Sequence, residues 1–194
     1  MVIANWKGKG SLDLVEKYNS ISWPDNLIVA PGAVFLPLLK NTNLSFQMPM
    51  FLGETCGLNP ISAYKEVGAD YVIINHIEQK KYYSNGFMDY LNASIKAGLK
   101  VLLCFESISE LVGLNDFENI TLIYEEKGQI NAEKMASDSL DRFVCLKNEL
   151  KMPVFYGGSV NNENVKDVAK CADGVILGRA SLDVEKLKEI LNWF

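Results

Sequence analysis

The stretch that decides the fold is residues 71–78, YVIINHIE, in which an apolar, β-branched run ends at the only histidine of the chain. Consecutive apolar residues of this kind predict a buried strand. Asn75 and His76 then lie at the carboxyl end of the strand, where chains that alternate strands with helices place their ligand loops. A histidine that caps a helix or lies half-exposed in a loop would fit the same local sequence, so residues 71–78 alone leave both interpretations open.

The composition predicts one globular domain over residues 1–194. A chain of 194 residues with 48% hydrophobic and 22% charged residues can bury a sizeable core. The net charge of −5, without a Lys/Arg-rich run, predicts no nucleic-acid partner and no membrane-surface patch. Because no signal peptide precedes the first strand and no apolar run approaches the roughly 18 residues of a membrane span, we expect a cytoplasmic protein.

The cysteines predict buried, reduced thiols rather than a metal site. The four of them are scattered along the chain without a C-x-x-C pair. A single histidine completes no plausible zinc-binding set with them. We therefore expect neither a metal ion nor a cofactor.

Strand and helix patterns alternate along the whole sequence. The predicted strands are residues 2–5, 26–30, 44–47, 71–74, 99–105, 120–124, 153–156 and 174–177. Helical spacing of apolar residues lies between and after them, most clearly over residues 132–150 and 184–194. Continuous rather than alternating apolar strands indicate a parallel sheet covered by helices, and eight such units close naturally into a compact (β/α)8 barrel. An open doubly wound sheet would favour a G-x-G-x-x-G after the first strand, which residues 5–10, NWKGKG, do not match.

Chemically useful side chains follow several predicted strands, and in a barrel the carboxyl ends of the strands form the functional face. The candidates at these ends are Asn5, Lys7, Asn75, His76, Glu78, Cys104, Glu106, Glu125, residues 157–159 (GGS) and residues 178–181 (GRAS). They supply a cation, an imidazole, carboxylates and two loops whose backbone N–H groups can hold a phosphate. Ordinary structural roles remain open for each: Lys7 also fits a solvated surface charge, and Ser159 also fits the N-cap of a helix over residues 161–169.

Five motifs, in order along the chain, resemble those of the triosephosphate isomerase family. They are residues 4–7 (ANWK), 75–78 (NHIE), 124–125 (YE), 156–161 (YGGSVN) and 174–182 (GVILGRASL). The Asn before the His is the form of the archaeal branch. The resemblance implies a TIM barrel that interconverts dihydroxyacetone phosphate and D-glyceraldehyde 3-phosphate by proton transfer through an enediol(ate). It also implies a homodimer or a higher homo-oligomer.

The resemblance also implies roles for individual residues. Glu125 would be the base, His76 the neutral electrophile that polarises the carbonyl, and Lys7 the positive charge for the developing oxyanion and the phosphate, the division of roles known for the family. Glu78 would pair with Lys7 and hold it in place. The implied substrate contacts are Asn5, Asn131, Ser159, Gly178 and Arg179.

The chain departs from the family pattern at several of these positions. Ile77 stands where the family has Ser, and Arg179 stands where it has Gly. Residues 125–131, EEKGQIN, replace a lid that has Pro after the Glu and ends in Ile-Gly-Thr-Gly. The chain is shorter than the family norm, and loop 49–60 looks trimmed. Two alternatives therefore stay open: a non-catalytic barrel of the same family that binds phosphate ligands, and an isomerase of another small sugar phosphate.

Overall fold

The computed structural model describes residues 1–40, 42–48, 60–80, 86–114, 118–130 and 132–194. Its strands form a closed barrel in chain order, with β1 paired to both β2 and β8. All of the pairings are parallel. The strands are β1 Val2–Asn5, β2 Leu27–Ala30, β3 Asn43–Gln47, β4 Ala69–Ile74, β5 Lys100–Phe105, β6 Ile120–Glu125, β7 Val154–Gly157 and β8 Val175–Leu177.

Most strand residues are apolar because both faces of the sheet are largely buried, and β3, with the sequence NLSFQ, is the most polar strand. Side chains at alternate positions point to opposite faces. In β1, Ile3 belongs to the cluster that fills the barrel, whereas Val2 and Ala4 belong to the larger cluster that also includes helix residues. The closed parallel barrel and its covering helices confirm the predicted fold class.

Helices and short 3-10 turns cover the barrel between its strands. The α-helices are α1 Leu12–Asn19, α2 Ile61–Glu66, α3 Met88–Lys96, α4 Ser139–Leu150, α5 Val165–Val168 and α6 Val184–Leu191. The 3-10 turns are Ala33–Leu38, Ile108–Leu111 and Arg179–Leu182. As the sequence predicts, Ser11 caps α1, with its hydroxyl accepting the Leu14 N–H at 3.1 Å. In the part of the chain that the structure describes, no helix has the length and apolar character needed to cross a bilayer.

Three predicted helix boundaries are wrong. The helix predicted over 184–194 ends at Leu191. The helix predicted over 132–150 begins only at Ser139, because the Ala132 carbonyl accepts hydrogen bonds from other loops instead of from its own helix. The helix predicted over 161–169 is reduced to α5. Before α4, tertiary contacts of the preceding loop override the helical pattern. Before α5, the side chains of Asn161 and Asn164 bond to nearby backbone groups instead.

The cysteine prediction is correct only in part. Cys104 is buried in β5, Cys171 is half-buried and Cys145 is exposed. Cys145 faces solvent because the buried face of α4 is the one that carries Phe143. Cys56, together with most of loop 49–60, lies outside the described residues.

Candidate active site

A cavity of about 480 Å³ lies at the carboxyl ends of the strands. The predicted residues in its wall are Asn5, Lys7, His76, Glu125, Ser159, Gly178 and Arg179. Glu78 stands behind this wall and contacts Lys7. Asn131 lies outside the described residues. The carboxyl ends of the strands therefore carry one connected group of side chains at one mouth of the barrel.

Lys7 is held in place by contacts to both its backbone and its ammonium group. It follows β1 in a left-handed conformation with φ 53°, which is uncommon for a residue other than glycine. Its N–H donates to Asn5 Oδ1 at 3.1 Å, and its Nζ lies 3.0 Å from Glu78 Oε2. The Asn5 Nδ2 group is buried with no hydrogen-bond partner among the described residues. Nζ and Nδ2 are thus both available to substrate oxygens.

His76 is a neutral imidazole whose tautomer is defined by its surroundings. The Glu78 N–H donates to Nδ1 at 3.2 Å, so Nδ1 is unprotonated and Nε2 carries the hydrogen. The ring is only 3% exposed. Burial, assisted by the charge of Lys7 and opposed by Glu78, lowers the pKa of His76 to about 4. Near pH 7 the group therefore offers an N–H rather than a positive charge.

Glu125 ends β6 with its carboxylate inside the cavity wall. It is 1% exposed, and its Oε2 accepts the Ile77 N–H at 2.8 Å. Its Oε1 lies 3.2 Å from His76 Nε2, out of line for a hydrogen bond. Burial raises the pKa of Glu125 to about 7, although the Ile77 N–H and the Lys7 charge oppose this shift. A carboxylate with this proton affinity can both take and return a proton near neutral pH.

Ile77, which stands where the family has Ser, keeps one contact to Glu125. The contact to Glu125 comes from the backbone N–H of Ile77, which every residue except proline provides. Loss of the family's hydroxyl at this position therefore leaves one donor to the carboxylate in place.

The raised pKa predicts that the ionisation of Glu125 shapes the activity profile near neutral pH. We expect kcat/KM to rise with pH through about 7 and then to level off, because the Glu125 carboxyl must lose its proton to act as a base. His76, with a pKa near 4, contributes no step above pH 5. Steady-state rates between pH 5 and 9 test this expectation. A profile that falls as pH rises from 6 to 8 would contradict it.

The opposite end of the cavity is formed by the loops after β7 and β8. Ser159 has φ 47°, and its hydroxyl lies 2.7 Å from the Gln129 carbonyl and 2.8 Å from the Ala132 carbonyl. These carbonyls belong to the segment between β6 and α4, residues 126–138, here called the β6–α4 loop. The Arg179 guanidinium also donates to the Ala132 carbonyl. The hydroxyl is thus used as a donor to this loop, and the N-cap interpretation of Ser159 is wrong, since α5 begins only at Val165.

Removing the Ser159 hydroxyl should loosen the β6–α4 loop. We expect Ser159→Gly to raise KM by about fivefold, because a neutral hydrogen bond contributes about 1 kcal/mol and glycine accepts the left-handed backbone. Ser20→Gly is the matched control: its hydroxyl bonds the Lys17 carbonyl at 2.7 Å near the end of α1, and its removal should leave KM unchanged. Equal KM values for the two variants and the wild type would refute the role of the hydroxyl.

A cluster of contacts behind the cavity wall was not anticipated from the sequence. The Asn75 amide donates to the Cys104 carbonyl at 2.9 Å and to Glu110 Oε2 at 3.0 Å. Lys80 pairs with Glu110 at 2.7 Å and with Glu106 at 2.9 Å. This cluster joins the loop that carries His76 to the loop after β5. The S-x-x-E spacing of residues 107–110, which forms a capping box in the structure, is the signal that could have identified Glu110.

Fold and site together define a class of protein: a (β/α)8 barrel in which a buried carboxylate, a neutral imidazole and a lysine share one cavity. A family model described as triosephosphate isomerase matches residues 1–121 and 131–194. The chain therefore belongs to the triosephosphate isomerase family. The interval between the matched ranges, residues 122–130, contains Glu125. The role of Glu125 is therefore argued from its position beside His76 and Ile77 and not from the family match.

Curated relatives agree with the family match. The chain is 28% identical to the triosephosphate isomerase of Wigglesworthia glossinidia brevipalpis over 247 aligned positions, which cover 99% of this chain and 95% of the relative. It is 31% identical to that of Thermodesulfovibrio yellowstonii over 165 positions, 66% of each chain. With that of Mesomycoplasma hyopneumoniae it shares 25% identity over 98% of both chains. Since an alignment of 247 positions exceeds the 194 residues of this chain, the first relative contains segments that this chain lacks.

Proposed function

We propose that the protein is a triosephosphate isomerase, which interconverts dihydroxyacetone phosphate and D-glyceraldehyde 3-phosphate. The observation that carries the proposal is the position of Glu125, a buried carboxylate with a pKa of about 7, beside neutral His76 in a cavity that Lys7 also lines. A carbon acid next to a carbonyl needs a base of this strength together with hydrogen-bond donors for the oxygen. Membership of the family supports the same substrate.

In the proposed reaction, Glu125 removes a proton from the carbon next to the carbonyl group. The electron pair of the broken C–H bond forms the enediol(ate) double bond, and the carbonyl electrons move onto oxygen. The Lys7 ammonium and the His76 Nε2–H stabilise the negative charge on that oxygen. The former carbonyl oxygen then takes the proton of the neighbouring hydroxyl group, and that hydroxyl oxygen becomes the new carbonyl as Glu125 returns its proton to the former carbonyl carbon. The base is thereby regenerated and no other reactant is consumed. Asn5 Nδ2, which is buried without a hydrogen-bond partner among the described residues, would bind a substrate oxygen throughout.

The phosphate is assigned to the opposite part of the cavity, at the loops after β7 and β8. The backbone there is close-packed: a Cβ on Gly158 would lie 3.1 Å from Gln129 Cβ and 3.0 Å from the Tyr156 hydroxyl. Ser159, Gly178 and Arg179 line this part of the wall, and Arg179 adds a positive charge. Asn131 would supply a further N–H from the β6–α4 loop.

Cytoplasmic location and a homodimer complete the proposal. Both follow from the family resemblance, and the described helices include none that could span a bilayer. The mass in solution, measured by light scattering during size exclusion, tests the dimer. A mass equal to that of a single chain would refute it.

A coupled isomerase assay in both directions tests the proposed activity. We expect turnover of both trioses and competitive inhibition by 2-phosphoglycolate, a carboxylate analogue of the enediol(ate). A panel of longer aldose and ketose phosphates tests the alternative substrates. Turnover only of a longer sugar phosphate would refute the triose assignment.

The rival function is a barrel that binds phosphate ligands without catalysis. The observation in its favour is the β6–α4 loop, part of which the family model does not match. Calorimetric titration with 2-phosphoglycolate separates the two functions, because the rival requires binding without detectable turnover of any triose phosphate.

A further inference from the structure

An ion pair lies directly beside the proposed base. Glu126, the first residue of the β6–α4 loop, contacts the guanidinium of Arg142 in α4 through its Oε1. The Glu126 side chain is only 13% exposed, whereas that of Arg142 is 43% exposed. The pair is thus partly buried. An Arg–carboxylate contact is stronger in a partly buried position than on an open surface.

Glu125 and Glu126 point in opposite directions. Successive side chains at the end of a strand face opposite sides of the sheet. The Glu125 carboxylate faces the cavity, where it accepts the Ile77 N–H, and the Glu126 carboxylate faces α4. The peptide group that joins the two residues is therefore held from both sides. A shift of Glu126 would carry the backbone of Glu125 with it.

Arg142 is itself fixed on α4. Its guanidinium contacts the Asp138 carboxylate and lies 3.4 Å from the Ser139 hydroxyl, both at the start of the helix. Several contacts to one planar guanidinium restrict its rotation, which the flexible ammonium of lysine would not match. The ion pair therefore links residue 126 to a rigid element.

We propose that Arg142 is a positioning residue for the isomerisation, acting through Glu126 to hold the Glu125 carboxylate in register with the substrate. The inference rests on the proposed function, in which Glu125 is the base. A base displaced by a fraction of an ångström loses reaction rate more than it loses substrate affinity. Removal of the ion pair should therefore lower kcat and leave KM nearly unchanged.

The first experiment compares Arg142→Met and Glu126→Gln with a matched control in the same helix. Lys147 also lies in α4 and pairs with Asp173 at 2.7 Å, and neither residue lines the cavity. We expect Arg142→Met and Glu126→Gln each to lower kcat by about tenfold with KM within about twofold. The double variant should be no slower than either single variant, because the two residues act as one unit. Lys147→Met should retain wild-type kcat.

A second experiment separates positioning from general stability. Proline fixes φ without an ion pair, and the extended backbone at the end of β6 tolerates a following proline. Glu126→Pro in the Arg142→Met background should therefore restore kcat to within about threefold of the wild-type value.

Specific outcomes overturn the inference. Wild-type kcat in Arg142→Met, equal losses in Lys147→Met, additive losses in the double variant, or failure of proline to restore kcat each contradict the positioning role of Arg142. Absence of turnover in the wild type instead refutes the proposed function, so the two failures are distinguishable.

Discussion

Glu125→Gln is expected to lower kcat by about a thousandfold, within the range for loss of a general base. The amide has the shape of the carboxyl group and can still accept the Ile77 N–H, but it cannot take a proton from carbon. The assay is steady-state turnover of D-glyceraldehyde 3-phosphate with a coupling system free of contaminating isomerase. A variant with wild-type kcat would remove Glu125 from the mechanism.

Stability provides the control for this variant. The folded-state pKa of Glu125 is raised from 4.5 to about 7, so between these values the folded state binds more protons than the unfolded state, and stability falls as pH rises. At pH 8 the penalty for burying the charge is complete, and the neutral amide of the variant avoids it. Denaturant unfolding at pH 8 should therefore show Glu125→Gln to be more stable, by up to about 3 kcal/mol. A destabilised variant would mean that the lost turnover reflects damage to the fold.

Lys7→Met is expected to lower kcat/KM by about a hundredfold or more, the usual loss when one charged donor is removed from a developing oxyanion. The Glu78 carboxylate that Lys7 contacts is 44% exposed and can be solvated, so the fold should survive. Lys9→Met is the matched control, since Lys9 follows the same strand but is exposed and absent from the cavity wall. Similar losses in both variants would refute a specific role for Lys7.

A second measurement on Lys7→Met tests the electrostatics directly. The Lys7 charge lowers the pKa of His76, after burial the largest cause of the shift. Its removal should raise the pKa of the imidazole, measured by NMR on the single histidine of the chain. An unchanged imidazole pKa would contradict the coupling between the two groups.

The barrel could be predicted because its signals are local and repeated. Most strands are continuous apolar runs, as burial on both faces favours, and the strands alternate with helical spacing. The common location of Lys7, His76 and Ser159 follows from the same topology, since all parallel strands end on one face. The functional roles of these residues stay predictions until they are tested by mutation.

Other features depend on tertiary contacts that no local pattern encodes. The Ile77 N–H that contacts Glu125 is a backbone group. Because every residue except proline has this group, the identity of residue 77 does not predict the contact. The ion pair between Glu126 and Arg142 joins residues separated by the β6–α4 loop. The delayed start of α4 at Ser139 likewise arises because the preceding loop bonds to neighbouring loops.

The left-handed residues at the cavity have a consequence for attempts to stabilise this protein. Lys7, Asn75 and Ser159 each have positive φ at the end of a strand, a conformation that costs a residue with a side chain about 1 kcal/mol. Glycine would relieve that cost at each position, but at Asn75 and Ser159 it would also remove side-chain hydrogen bonds to neighbouring loops. At Lys7 it would remove only an ion pair to Glu78, which is 44% exposed, so selection for heat resistance alone would favour the loss of this one side chain. A thermostable variant obtained without an activity screen should therefore be checked for glycine at position 7, where a gain in melting temperature would come with a loss of turnover.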